Sequence, residues 1–214
     1  MTKEEYESIL DGNFVLFRFR YNELSFSNHL EIVDSWDKKW PIQRQYNIEG
    51  IKNGLSLLEG DLHIAELGCH DGSLAKELLE DNKNIKSWIG YDICSDAIKR
   101  SYISSKYKPI LLDNWFHKIN LPNFNTFISS HTLEHLSDDR VLETFNKISF
   151  AKYLILDTPL KEYGQDWAGY HASHVLKSGK YDLERWLEER NFTKLSDITD
   201  TLAVWIKKER KINT

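Results

Sequence analysis

The chain has 214 residues, is 41% apolar and 13% aromatic, and carries a net charge of −5. That length suits one domain with a sizeable core and is too short for two full enzymes, while the acidic balance supplies no global positive field to gather DNA or RNA. No apolar run approaches the roughly 20 residues of a membrane-spanning helix, and the polar start Met1-Thr2-Lys3-Glu4-Glu5 is unlike a signal peptide, so the expected location is the cytoplasm.

In chain order, residues 1–60 read as an N-terminal cap or packing segment ahead of a second unit, residues 61–214. Phe14 to Tyr21 alternates enough for a strand or extended arm. Trp36-Asp37-Lys38-Lys39-Trp40-Pro41 is an aromatic connector broken at its proline, its two tryptophans serving either as part of a lid or as packing at the core edge. Tyr46, Ile48, Ile51, Leu55 and Leu58 recur at helical spacing over Gln43 to Leu58, and Gly60 ends the helix.

The organising stretch follows, His63-Ile64-Ala65-Glu66-Leu67-Gly68-Cys69-His70-Asp71-Gly72-Ser73-Leu74-Ala75-Lys76-Glu77-Leu78-Leu79. A short apolar run closed by a carboxylate, a turn with two glycines and a helical pattern make a strand, a tight loop and a helix. A dinucleotide fingerprint needs Gly-x-Gly-x-x-Gly, and a P-loop needs Gly-Lys-Ser/Thr; neither stands here. Glu66 at the strand end repels phosphate and attracts an ammonium or sulfonium group, as S-adenosylmethionine carries. The stretch resembles the first motif of the Rossmann-like (class I) S-adenosylmethionine-dependent methyltransferases, of the small-molecule type.

The next strand, Ile85 to Ile93, ends in Gly90-Tyr91-Asp92-Ile93. An acidic residue at that place is positioned to take two ribose hydroxyls with its two oxygens. Ser95 reads as the N-cap of a helix through Tyr102, and Pro109 to Trp115 as a third strand. Asn125 to Ser130 makes a fourth strand, followed by His131-Thr132-Leu133-Glu134-His135-Leu136. This segment resembles the family's fourth motif, Leu-Glu-His-Leu. It also spells His-x-x-Glu-His, a zinc-hydrolase signature, which fails to explain the glycine loop before it. Val141 to Ile148 reads as a helix and Tyr153 to Pro159 as a fifth strand. The polar-aromatic loop from Leu160 to Lys180 then lies where a methyl acceptor is expected. A helix from Tyr181 to Glu189, a turn at Arg190-Asn191-Phe192, an antiparallel partner beginning at Thr193 and a last strand, Thr201 to Ile206, complete the chain. Cys69 and Cys94 are too few for a disulfide framework and match no zinc spacing.

The resemblance covers about Leu62 to Ile206 and implies an α/β fold: a mostly parallel doubly wound sheet, helices on both faces and an antiparallel C-terminal edge strand. It implies S-adenosyl-L-methionine as cofactor, with Glu66 at the methionine portion, Gly68, Cys69 and Gly72 in the loop, Asp92 and Ile93 at the ribose, Asp113 or Asn114 at the adenine, and Ser130 facing ligand. His131, His171 and His174 are the candidates for a general base, and no metal is expected. The Asp/Asn-Pro-Pro-Tyr/Phe motif of nucleic-acid amino methylases is missing, as is a Pro-Cys pair. The expected acceptor is therefore a small or sugar-like molecule, methylated at oxygen or nitrogen. The competing reading is a non-catalytic partner protein of the same fold.

Overall fold

The computed structural model describes Phe14, residues 40–159 and residues 176–208. The expected arm beyond Phe14, Trp36, the side chain of Trp40, and the loop that holds His171 and His174 lie outside the described residues.

Seven strands form one sheet among the described residues: β1 Leu62–Leu67, β2 Ile85–Asp92, β3 Tyr107–Leu111, β4 Thr126–Ser130, β5 Tyr153–Asp157, β6 Phe192–Asp197 and β7 Leu202–Lys207. Their spatial order is β3-β2-β1-β4-β5-β7-β6. The first five run parallel, and the β7–β6 hairpin joins β5 antiparallel. The helices are α1 Trp40–Ser56, α2 Ser73–Asp81, α3 Ser95–Lys99, α4 Asp138–Lys147 and α5 Lys180–Glu189.

The central strands are short apolar runs because both of their faces are covered. On one face Ala65 and Leu67 of β1 and Phe127 of β4 pack with Val141 and Phe145 of α4 and with Leu183 and Leu187 of α5. On the other, Ile64, Trp88 and Ile128 meet Ile51 and Leu55 of α1 and Ala75 and Leu78 of α2. The alternation along β1 thus divides the core into two layers with the sheet between them, the doubly wound arrangement expected from the resemblance.

Several boundaries differ from the sequence reading: α1 begins at Trp40 with Pro41 in its first turn, not at Gln43 after a break, because a proline's missing N–H costs nothing there. The helix from Ser95 stops at Lys99 rather than Tyr102, because Tyr102 donates its N–H to the Asp71 carbonyl at 3.1 Å and stacks on Tyr107 with ring centroids 5.9 Å apart; these contacts draw it out of the helix toward the glycine loop. β3 begins at Tyr107, not Pro109, since the Trp88 N–H already pairs with the Lys106 carbonyl at 2.7 Å. It ends at Leu111, leaving Asp113, Asn114 and Trp115 in the turn beyond. Finally, the chain's last strand, β7, is an inner strand, and β6 takes the outer edge.

Phe127 is fully buried on the central strand β4. Phe127→Ala is expected to cost about 3–5 kcal/mol, seen as a lower urea midpoint at unchanged slope.

Candidate functional site

At the C-terminal end of β1 the chain turns through Gly68, Cys69, His70, Asp71 and Gly72. The N–H groups of Gly68 and Cys69 both donate to the Tyr91 carbonyl, at 2.8 and 3.2 Å, so the loop starts as an extension of the β1–β2 ladder. Gly68 has φ +86°, and a Cβ there would lie 1.7 Å from Oγ1 of Thr132. Gly72 has φ +71° and a site for Cβ only 2.6 Å from the Tyr107 ring. Both positions need glycine for conformation and for space. Asp71 accepts the N–H of Ser73 at 3.1 Å, at the start of α2; its carboxyl is held far below the usual range, chiefly by the His70 imidazole beside it.

Asp92, at the end of β2, is buried and holds this loop in place. Its Oδ2 accepts the His70 N–H at 2.8 Å and its Oδ1 the Cys94 N–H at 2.7 Å. Burial pushes its carboxyl up, and these backbone donors partly offset that. Each oxygen keeps a lone pair beyond the backbone bond. Ile93 beside it is half-buried, and Asp113 and Asn114 are exposed after β3. Asn114 Oδ1 accepts the Trp115 N–H at 2.8 Å. Trp115 itself is core, edge-on to Phe14 at 5.1 Å.

Glu66 lies below the loop rather than in it. It is 3% exposed, its Oε2 accepts the Trp88 indole N–H at 2.8 Å, and burial pushes its carboxyl up to about 8. At neutral pH the group therefore mostly holds its proton. Cys69 is also buried, and its thiol is pushed far up, first by burial, which leaves it a small apolar filler with no thiolate chemistry.

Across the sheet's midline, Ser130 and His131 end β4. His131 takes φ +50°. Its Nε2 stands 3.4 Å from Asp157 Oδ2 and its Nδ1 3.6 Å from Glu134 Oε1. Asp157 closes β5 and accepts from Ser130 Oγ at 3.1 Å and Thr201 Oγ1 at 2.7 Å. Burial raises its carboxyl, and the donors, His131 first, more than reverse this, so it stays below its ordinary range. The zinc-hydrolase reading finds no support here. Such a site needs its two histidines one turn apart on an α-helix, but Leu133–His135 is a single 3-10 turn with His131 ahead of it in left-handed backbone. Among the described residues no group of three or more His, Cys, Asp or Glu is arranged to hold a metal. His135 is buried, with its N–H on the Thr132 carbonyl at 3.1 Å.

Gly68, Cys69, Gly72, Asp92, Ile93, Asp113, Asn114, Ser130 and His131 thus gather at the C-terminal edge of β1 to β4, with Glu66 directly beneath. Sequence reasoning passed over His70, Trp88, Thr132 and Asp157. For Thr132 and Asp157 the available signal was position, Asp157 being the last residue of β5 and Thr132 standing two residues beyond β4. For Trp88 there was none, since its partner is 22 residues away.

A buried acid with a raised pKa binds more protons in the folded than in the unfolded chain, so its contribution to stability falls as pH rises from about 4.3 toward 8. Glu66→Gln removes that term. The stability of the wild type minus that of the variant should fall by up to about 1.4 kcal/mol per pH unit across this window and level off above it, as read from denaturant unfolding at successive pH values.

No family model and no curated protein matches this chain. Solved structures do. Magnesium protoporphyrin IX methyltransferase (ChlM) from Synechocystis PCC 6803 with bound SAH matches with TM-score 0.66 at 15% identity, over 92% of this chain and 100% of that one. The small RNA methyltransferase HEN1 matches with TM-score 0.57 at 17% identity, over 79% of this chain; the chain spans about a quarter, 25%, of the HEN1 chain. An S-adenosylmethionine-dependent methyltransferase from Mesorhizobium loti matches with TM-score 0.56 at 15% identity, over 72% of this chain and 96% of that one. Strand order, parallel core, antiparallel hairpin and glycine loop agree with these likenesses: this chain has the Rossmann-like fold of the class I S-adenosylmethionine-dependent methyltransferases.

Proposed function

We propose that this protein transfers a methyl group from S-adenosylmethionine to an oxygen or nitrogen of a small-molecule or sugar-like acceptor, in the cytoplasm. The observation that carries this reading is the glycine loop pinned to Asp92 through the His70 N–H, with exposed Asp113 in the turn that follows the next strand at the same edge. The residues suit the cofactor. Asp92 keeps acceptor capacity for ribose hydroxyls, Asp113 and Asn114 offer acceptors to an adenine amine, and Gly68 and Gly72 let the loop pack against Thr132 and Tyr107 in the conformation that brings it to Asp92. Once bound, S-adenosylmethionine supplies a methyl on a sulfonium, already a good leaving group.

The chain's own work is then alignment and proton handling. His131 follows β4 with Asp157 3.4 Å from its Nε2 and Glu134 3.6 Å from its Nδ1; in the proposed role Nδ1 turns from Glu134 to take a proton from the acceptor hydroxyl or ammonium, while Asp157 at Nε2 holds the tautomer and stabilises the imidazolium. His171 and His174, outside the described residues, are the other candidates for this base. Glu66, buried, bonded to Trp88 and mostly holding its proton at neutral pH, supports the loop from below instead of offering the charge expected to attract the methionine portion. Within the segment 1–60 the described packing is that of α1, whose Ile51 and Leu55 lie in the core layer that covers β1. The net charge of −5 supports a small acceptor over a polyanion.

Asp92 carries two backbone bonds, so its removal loosens the loop as well as the site. Asp113, exposed and outside those bonds, gives the cleaner test. Asp113→Ala should weaken S-adenosylhomocysteine binding about tenfold by calorimetric titration while leaving the unfolding midpoint unchanged. His131→Gln should slow methyl transfer about 100-fold or more at unchanged S-adenosylhomocysteine affinity. Wild-type protein that takes up no S-adenosylhomocysteine would overturn the reading.

A further inference from the structure

Three non-glycine residues of the described chain have positive φ, and two of them are histidines at the ligand edge: His70 at +49° after β1 and His131 at +50° after β4. Such backbone costs on the order of 1 kcal/mol and gathers at functional sites. His131 is accounted for by Asp157 and Glu134. His70 is not, because its backbone alone would serve the bond to Asp92, and glycine would adopt that backbone without strain. The side chain is 59% exposed, with Nδ1 3.7 Å from Asp71 Oδ1.

The surrounding charge shows what an imidazole adds at this place. The loop and the strand ends beside it carry the carboxylates of Asp71, Asp92 and Asp113. That field favours the sulfonium and ammonium of S-adenosylmethionine and opposes the carboxylate on the same amino-acid portion. A cation within the loop offsets that opposition. Asp71, first, and Asp92 raise the His70 pKa from its ordinary value, while burial and Arg100 lower it to a smaller extent.

We propose that His70 is a cofactor-specificity residue, its imidazolium pairing with the amino-acid carboxylate of the S-adenosyl ligand and so selecting it over adenosyl thioethers that lack the amino acid. The proposal rests on the methyltransferase reading above. A group whose pKa is raised by its partners contributes below its free value and is lost above it. Affinity for the carboxylate-bearing ligand therefore declines as pH rises through the region above 6.5.

The test titrates S-adenosylhomocysteine and 5′-methylthioadenosine into the full chain by calorimetry at pH 6 and pH 8.5, with wild type and His70→Asn, since asparagine tolerates left-handed backbone without charge. In the wild type, S-adenosylhomocysteine affinity should fall about tenfold between the two pH values while that for 5′-methylthioadenosine stays constant. In His70→Asn, S-adenosylhomocysteine affinity should already be reduced about tenfold at pH 6 and be nearly flat with pH, again with no change for 5′-methylthioadenosine. A wild type in which both ligands respond alike to pH overturns the proposal, even if the variant fails to fold. So does a pH dependence that persists in His70→Asn, which would belong to the ligand's own amine. Binding of neither ligand at either pH overturns the methyltransferase reading itself, a result distinct from binding of both without discrimination.

Discussion

The edge of this sheet depends on there being no side chain at residue 68. β1 and β4 are neighbours in register, Leu67 opposite Ser129, and both chains turn where the strands end. The two turns occupy the same space: the Cα of Gly68 faces Thr132 so closely that even a methyl group has no room. With glycine there, the β1 loop can lie flat over β2 and place two N–H groups on the Tyr91 carbonyl. That brings the His70 N–H onto Asp92, and Asp92 in turn reaches the Cys94 N–H ahead of α3. One steric condition thus fixes the glycine loop, the end of β2 and the start of α3 relative to one another.

Three buried acids in this region have the same chemistry and different surroundings. Glu66 has an indole N–H and no cation within bonding distance, so burial wins and the carboxyl holds its proton to about pH 8. Asp157 is just as buried but receives two hydroxyls and faces an imidazole, and it stays anionic. Asp92 stands between them, with burial opposed by two backbone donors. A neutral acid below the loop, a backbone-bonded carboxyl in its flank and an anion behind His131 divide the work of support, ligand contact and proton handling among three carboxyl groups.

Much of this was legible in the chain. The run His63 to Leu79 declares strand, loop and helix through glycine spacing and apolar pattern, and Asp92 and Ser130 were placed from strand ends. What the sequence left out are relations between distant positions. Trp88 reads as one more buried aromatic in β2, and nothing local says that it caps Glu66. Tyr102 continues a helical pattern well enough that only its contacts with Asp71 and Tyr107 show why the helix ends three residues earlier. The Leu-Glu-His-Leu segment carried two readings in sequence, and backbone geometry separated them: a 3-10 turn cannot set two histidines as an α-helix does. β7 was read as the final strand and is final in sequence, yet the hairpin folds back so that β6 lies outermost, an outcome of pairing that no strand pattern encodes.

The topology explains why the left-handed residues sit where they do. From β1 the chain builds outward through β2 and β3, then returns to start β4 on the other side of β1, so the direction of winding reverses between β1 and β4, where the turns after the two strands meet at Gly68 and Thr132. Each loop must turn away from its neighbour within two or three residues of the strand end. A right-handed turn at His70 would carry its N–H away from Asp92, and one at His131 would carry the ring away from Asp157. Positive φ at both places is therefore the local cost of keeping the two loops tied to carboxylates on the adjacent strands β2 and β5. Those strands flank the pair β1–β4, so each loop is tied to the strand on its own outer side, the β1 loop by the His70 N–H on Asp92 and the β4 loop by the His131 ring beside Asp157.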